Sequence, residues 1–194
     1  MSVGYFLLPT LTDHFNHKNI IKYCDRPFNS VKHMNAMMIA KWNTKVGHDD
    51  LVIHLGDFAM GDRRMIPSIL EKLNGRLIVL AGNHDNKRSD KYYVEIVREP
   101  FIYIDEQTQL VVELVHNPRD VSGIYDLAFC GHVHEAWDHV VPLEIIQEHS
   151  ENRPNFRHKV LVPTINVGVD VWDFEPVSFA QIFEKHSKIM RNLK

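Results

Sequence analysis

Short apolar runs closed by a small residue and a cluster of polar side chains recur along the chain. The clearest is Leu77-Ile-Val-Leu-Ala81, whose unbroken apolar character predicts a strand buried on both faces of a sheet. Gly82 ends it, and Asn83-His84-Asp85 follows at its mouth. Residues 3–8 predict a first strand running into Thr10-Leu-Thr-Asp-His-Phe-Asn-His17, and residues 51–55 predict another that ends in Gly56-Asp57. Between the strands the period changes. Val31, Met34, Met37, Met38 and Trp42 recur at helical spacing after Ser30, which predicts an amphipathic helix with its methionines packed inward. Met65, Ile66, Ile69, Leu70 and Leu73 predict a second helix stopped by Asn74-Gly75. Ser89-Asp90 can cap a third, carrying Tyr93, Ile96 and Val97 and ended by Pro100. Strands alternating with helices predict βαβ units.

The second half reads differently. Residues 101–104, 110–115 and 125–130 predict short strands without long helices between them, and two more polar turns follow, Val115-His116-Asn117-Pro118 and Gly131-His-Val-His134. Residues 144–159 are the most polar stretch and read as an inserted surface loop, mobile around Glu148-His-Ser-Glu-Asn-Arg-Pro154. Residues 160–169 predict a last strand region. Ser178 and Gln181 make a capping box for a final helix bearing Phe179, Ile182, Phe183, Ile189 and Met190. The expectation is one domain over residues 1–194 with an insertion near 144–159.

Composition changes this picture in two places. The 22 basic and 25 acidic residues give a net charge of −3, so no global basic field points to long nucleic acid or to a membrane surface. Cys24 and Cys130 do not form a metal-type pair and are too few for a disulfide framework, which predicts reduced thiols and a cytoplasmic protein. Residues 1–9 lack a positive flank and a long apolar core, and read as a strand rather than a signal peptide. The outlying figure is 13 histidines. His33, His54, His139, His149, His158 and His186 receive no role, but several of the others stand beside Asp, Asn or Gly. Five clusters, at Asp13-His14, Gly56-Asp57, Gly82 to Asp85, His116 and Gly131 to His134, follow apolar runs, and in open α/β sheets such groups converge at strand carboxyl ends. Their nitrogen and oxygen donors suit Mn, Fe, Zn or Ni, and the absence of Cys from them argues against a structural zinc knot.

In this order the motifs resemble those of the calcineurin-like metallophosphoesterases, whose pattern is Asp-x-His, Gly-Asp, Gly-Asn-His-Asp/Glu, a lone His and Gly-His-x-His. The flanking text His17-Lys-Asn-Ile-Ile-Lys-Tyr-Cys-Asp-Arg-Pro-Phe28 and Asn166-Val-Gly-Val-Asp-Val-Trp172 resembles the small bacterial and phage members. The resemblance implies an α/β (α+β sandwich) fold, two packed mixed sheets flanked by helices, with a dinuclear metal site at the strand C-terminal ends. It implies that Asp57 bridges two divalent ions, Mn first and Fe, Zn or Ni as alternatives. Asn83, His116 and His132 would complete one, and His14 and His134 would help hold the other. His84, hydrogen-bonded to Asp85, would serve the leaving oxygen as general acid. Such ions clamp phosphoryl oxygens and make hydroxide available near neutral pH.

The chain departs from that pattern at the first motif, where Thr12 stands in the place of the Asp and Asp13 directly precedes the histidine. Either the loop is remodelled so that Asp13 reaches the metal, or that metal has lost a carboxylate. His17 and Arg26 are the substrate-side candidates, the arginine as a fork for a phosphate oxygen. Lys87, Arg88 and Lys91 lie just past the site and either meet a phosphate backbone or solvate a helix. Ala81 precedes Gly82 where phosphoprotein phosphatases carry Arg, and Gly56-Asp-Phe-Ala-Met-Gly61 lacks their arginine. The expectation is therefore a phosphodiesterase acting on a nucleotide, cyclic nucleotide or short nucleic acid. A phosphomonoesterase, or a catalytically impaired nucleotide- or partner-binding relative, is the alternative.

Overall fold

Four strands, β1 (Leu7–Thr10), β2 (Leu51–His54), β3 (Arg76–Leu80) and β4 (Glu95–Val97), stand side by side in sequence order and wholly parallel. The computed structural model describes residues 7–10, 13–85, 87, 89–140, 145–150, 153–159 and 162–191. The start of the first predicted strand, Thr12, Arg88 and residues 160–161 lie outside them. The second sheet contains β5 (Phe101–Ile104), β6 (Val111–Leu114), β7 (Leu127–Cys130), β8 (His139–Val140) and, after the hairpin strands β9 (Ile145–Ser150) and β10 (Arg153–Lys159), β11 (Thr164–Asn166). Its order is β5-β6-β7-β11-β8, with a parallel centre and antiparallel edges. The fold is thus α/β with two sheets and helices. Only the second sheet is mixed.

Alternation along the strands divides the core. Ile53 and Leu80 point to a cluster shared with Val112, Leu114, Leu127, Phe129 and Ile165 of the other sheet, so this layer joins the two sheets. Val52, Val79 and Leu77 point the other way. There they meet α2 (Val31–Lys45), which follows the short α1 (Ile20–Tyr23), and α3 (Ile66–Leu70). Met34, Met38 and Trp42 are the buried stripe of α2, while Met37 is exposed, so the predicted methionine face is narrower than expected. Ser30 caps α2 by accepting from the His33 amide, and Trp42 Nε1 donates to Asn74 O at 3.0 Å, tying the helix to the turn before β3. Gly75 in that turn has φ +87°, and a Cβ there would come 2.7 Å from Val46 Cγ1. The Ser178/Gln181 capping box is present and starts α4 (Phe179–Lys185), which breaks at His186 before α5 (Ser187–Arg191). Ile182 and Met190 of this pair enter the layer between the sheets.

Two expectations are corrected. The third helix does not form: a single 3-10 turn over Asp90–Tyr92 leads into β4, where Ile96 and Val97 pair with β3. The open edge of β3 offers a ladder to a β-branched segment too short to repay helix nucleation. Residues 145–150 and 153–159, expected as a loop, pair antiparallel with a register shift between Arg153 and Phe156. Pro154 sits in that irregularity, where its missing N–H costs no ladder bond. The described residues contain no helix long and apolar enough to cross a membrane.

Phe129, 1% exposed and 5.7 Å from the Phe179 ring, holds the second sheet to α4. Phe129→Ala is expected to lower unfolding free energy by about 3–5 kcal/mol in urea denaturation. A loss below about 1 kcal/mol would mean that the layer between the sheets repacks freely.

Candidate metal centre

The polar turns lie together at the carboxyl ends of β2, β3, β6 and β7, and backbone bonds join them. His14 N–H donates to Asp57 O at 3.0 Å and Phe15 N–H to Phe58 O at 2.9 Å, which brings the first turn beside the Gly56-Asp57 turn. Gly131 N–H donates to His116 O at 3.1 Å, joining the two turns of the second sheet. The Gly56 and Gly82 turns touch. A Cβ on Gly82 would come 2.6 Å from Asp57 N and strike Asp57 Oδ1, and one on Gly56 would come 2.5 Å from Gly82 N. Both glycines are therefore required by close approach. Four of the predicted ligands, His14, Asp57, His132 and His134, have φ of 51°, 56°, 63° and 50°. This left-handed region costs a non-glycine residue roughly 1–2 kcal/mol, so surrounding structure must hold each side chain in place.

Asp57 is the hub. Only 2% exposed, it accepts the His84 amide on Oδ1 at 2.8 Å. Its Oδ2 lies 3.4 Å from His116 Nε2 and 3.8 Å from His14 Nε2. Burial alone would push its carboxyl up, but the His116 hydrogen bond and the charges of His116, His14 and His84 hold it well below the usual range. His116 Nδ1 is 2.8 Å from Leu55 O and so must carry the proton. Its Nε2 then faces two acceptors, Asn83 Oδ1 at 2.8 Å and Asp57 Oδ2. Acceptors converge on one point only if a proton or a cation lies there. Burial favours a neutral His116, yet the bond to Asp57 and its charge raise the imidazole above its ordinary value.

The other imidazoles are presented as ligands. His14 Nε2 is buried with no hydrogen-bond partner, and burial, against the pull of Asp57, keeps the ring well below its usual pKa and neutral. His132 is lowered to about 4 by burial and then by His116. Donor atoms of Asp57, His116 and His132 lie within 4.8 Å of one another. His134 gives Nδ1 to Asp170 Oδ2 at 2.9 Å, which leaves Nε2 toward His14, whose ring centroid is 5.1 Å away. These groups could hold a metal ion: a buried orphan nitrogen, neutral imidazoles and an ionised carboxylate are what a divalent cation of the N/O-binding class requires.

Several predicted residues serve otherwise than expected. Asp13 is 2% exposed, and its Oδ2 is 3.0 Å from His54 Nε2. His54 Nδ1 accepts the Gly56 amide at 3.1 Å, so its Nε2 is the donor to Asp13, and this pair braces the Gly56 turn from behind instead of reaching the ligand cluster. Arg26, expected on the substrate side, is 3% exposed. Its Nε and Nη2 fork onto Asp170 at 2.7 and 2.9 Å, and Nη1 donates to Asp13 O at 2.8 Å. It orients Asp170, which orients His134. Asp85 was expected to carry the His84 ring, but its Oδ2 accepts the amides of Asp57 at 2.7 Å and Gly82 at 3.0 Å, fastening the two turns together. The His84 side chain stays exposed, its ring 5.8 Å from that of His14. His17 is half-buried on the rim, with Nδ1 3.3 Å from His14 Nδ1. Sequence reasoning gave no role to His54, whose only signal was a histidine inside an apolar strand. Lys87 is exposed, and Lys91 lies over the Tyr92 ring at 5.0 Å.

Two outcomes follow from this geometry. His132 and His186 both titrate at about 4 when folded against an ordinary 6.5, His186 because of burial and then His139. The unfolded chain takes up these protons from pH 6.5 downward and the folded chain only near 4. The metal-free protein should therefore be most stable above pH 6.5 and lose stability steadily between 6.5 and 4 in urea titrations. A flat profile across that window would show that these rings are not buried neutral. Asp13→Asn should leave the number of tightly bound ions unchanged and lower the melting temperature. Loss of an ion without loss of stability would put Asp13 in the cluster instead.

No family model matches the chain. Its fold is similar to that of the protein of unknown function AQ665 from Aquifex aeolicus, whose crystal structure superimposes with a TM-score of 0.66 at 22% identity, covering 93% of this chain and 99% of that one. In sequence it is 34% identical over 185 residues to the uncharacterized protein MJ1445 of Methanocaldococcus jannaschii, across 93% of this chain and 92% of that protein. At that identity over nearly the whole of both chains, the protein belongs to the same family as the Methanocaldococcus protein.

Proposed function

We propose that the chain is a metal-dependent phosphoesterase of the calcineurin-like kind, cleaving phosphodiester bonds of a nucleotide, cyclic nucleotide or short nucleic acid. One observation carries the reading: Asp57 Oδ2, His116 Nε2 and Asn83 Oδ1 converge as acceptors, with the orphan Nε2 of His14 3.8 Å from the same carboxylate oxygen. Asp57, Asn83, His116 and His132 would hold one ion, and Asp57, His14 and His134 the other. Divalent ions so held, Mn first among Mn, Fe, Zn and Ni, would supply Lewis acidity toward the phosphoryl oxygens and make hydroxide available near neutral pH.

The chain's own groups do the rest. Asp57 fixes the spacing of the ligands, since its carboxylate is shared between His116 and His14 and its own turn is locked by Asp85. His84 is tethered through its amide to Asp57 Oδ1 while its ring faces solvent beside the cluster, a position suited to deliver a proton to the leaving alkoxide as the bond from phosphorus to that oxygen breaks. His17 on the rim is the remaining substrate-side candidate, now that Arg26 is committed inside. The preference for diesters rests on Ala81 and on the arginine-free stretch after Asp57.

The test is an assay of metal-stripped protein on a chromogenic phosphodiester and the matching monoester, with Mn or Ni added back. His84→Ala should keep its metal and lose roughly 10²- to 10⁴-fold in diester turnover. Asp57→Asn should lose the ions of the Asp57 cluster together with turnover, and retention of both would end the two-ion scheme. Turnover of the monoester alone would support the phosphomonoesterase, and none with any metal the binding relative.

A further inference from the structure

We propose that Asp138, His139 and His186 form a second, separate binding site for a divalent transition-metal ion of the zinc and cobalt class. His139 opens β8, the edge strand of the second sheet, Asp138 directly precedes it, and His186 is the joint between α4 and α5. One donor atom from each lies within 4.8 Å of the other two, and the group shares no residue with the Asp57 cluster. No expectation from the sequence gave these residues a role, because His186 lies 47 positions after its nearest partner, His139.

His186 is the fixed point. It is 4% exposed, and its Nε2 is buried with no hydrogen-bond partner, a condition that buried polar atoms rarely keep without an ion or a water to satisfy them. Its backbone cannot turn away, since the His186 amide donates to Ile182 O at 2.9 Å and its carbonyl accepts from Met190 N–H at 3.1 Å. Opposite it, His139 and Asp138 have side chains 40% and 44% exposed, with His139 Nδ1 2.8 Å from Asp138 Oδ1 and the two histidine rings 5.0 Å apart. Tetrahedral zinc, with bonds of about 2.0 Å, needs donors only about 3.3 Å apart. The exposed pair must rotate inward by the difference, which surface side chains do at little cost, while His186 stays in place.

The charge balance agrees. Burial, and then His139, keep the His186 ring neutral, so its lone pair is available, and Asp138 supplies the negative charge. The neighbouring cation, Lys185, is occupied elsewhere: its Nζ lies 4.2 Å above the Trp172 ring and donates to Val171 O at 3.2 Å. Two imidazoles and a carboxylate favour zinc, cobalt or nickel over magnesium or calcium, which take oxygen ligands. An ion here would clamp the edge strand β8 to the α4–α5 joint.

The site stands independently of the phosphoesterase reading, and its test reads ions, not turnover. Metal-stripped full-length chain is titrated with Zn²⁺ or Co²⁺ alone, and bound ions are counted by equilibrium dialysis with elemental analysis. His139→Gln should bind one ion per chain fewer than the parent, and Asp138→Asn should weaken that ion roughly 10- to 100-fold. Asp57→Asn should retain this one ion, and Asp57→Asn combined with His139→Gln should lose it. Because Trp172 lies 6.1 Å from the His186 ring, Co²⁺ should quench tryptophan fluorescence in Asp57→Asn and not in the double variant. His139 and Asp138 are surface residues, so these variants fold even where His186→Gln does not. Equal ion counts in the parent and His139→Gln, or an Asp57→Asn chain that binds no ion, would overturn the proposal.

Discussion

Everything at the candidate metal centre depends on one buried negative charge. Asp57 sits 2% exposed in a turn that cannot tolerate a Cβ on the glycine facing it, and its carboxylate stays ionised although burial works against it. An ionised carboxylate out of water must be repaid locally. The repayment is visible in the contacts: the His84 amide on Oδ1, the imidazoles of His116 and His14 around Oδ2, and the amide of Asp57 itself given to Asp85. These groups come from three other turns. The charge therefore gathers the turns, and the parallel strands behind them, with Val52, Ile53, Val79 and Leu80 almost fully buried, supply the rigid base against which they gather.

Behind the ligand cluster lies a layer of buried polar side chains that orients the candidate ligands. Arg26 forks onto Asp170, and Asp170 takes the Nδ1 proton of His134. Arg26 also reaches Asp13 O, whose carboxylate holds His54, whose Nδ1 in turn accepts the Gly56 amide. One guanidinium thus reaches both sides of the site through two short chains of hydrogen bonds. Because Arg26 and His54 are both buried, either chain would be costly to break: removal of one partner strands the other in a medium that cannot solvate it.

Much of the fold and of the cluster was legible in the chain. Apolar runs ending in glycine and a ligand type locate β2, β3, β6 and β7, and the same text locates Asp57, Asn83, His116 and His132, because strand period and turn chemistry are local properties. What was illegible is what depends on partners distant in sequence. Ser89 with Asp90 looks like a helix cap until the open edge of β3 claims Ile96 and Val97. Residues 145–150 and 153–159 look like a loop because their polar text shows no strand period, and neither segment reveals the antiparallel partner that pairs with it. Arg26 reads as a phosphate fork in isolation, and only a carboxylate 144 positions away explains why it turns inward. Asp13 likewise reads as a ligand because it adjoins His14, but the histidine that captures it is 41 positions on.

That capture makes the two halves of the proposed centre unequal. Around Asp57 Oδ2, the His116 side carries Asn83 and His132 as well, so an ion there would meet a carboxylate, an amide oxygen and two imidazoles. On the His14 side the further donor is His134, and the carboxylate that adjoins His14 in sequence is spent on His54. Charge in the ligand set governs affinity for a divalent ion, because each carboxylate offsets part of the cation's desolvation. The two positions would then fill in order, the His116 side first, with the His14 side dependent on the shared Asp57 and on whatever anion arrives with the second ion. A phosphoryl group is such an anion. Under the proposed phosphoesterase function, the substrate would complete the weaker half, and second-ion binding would depend on substrate binding.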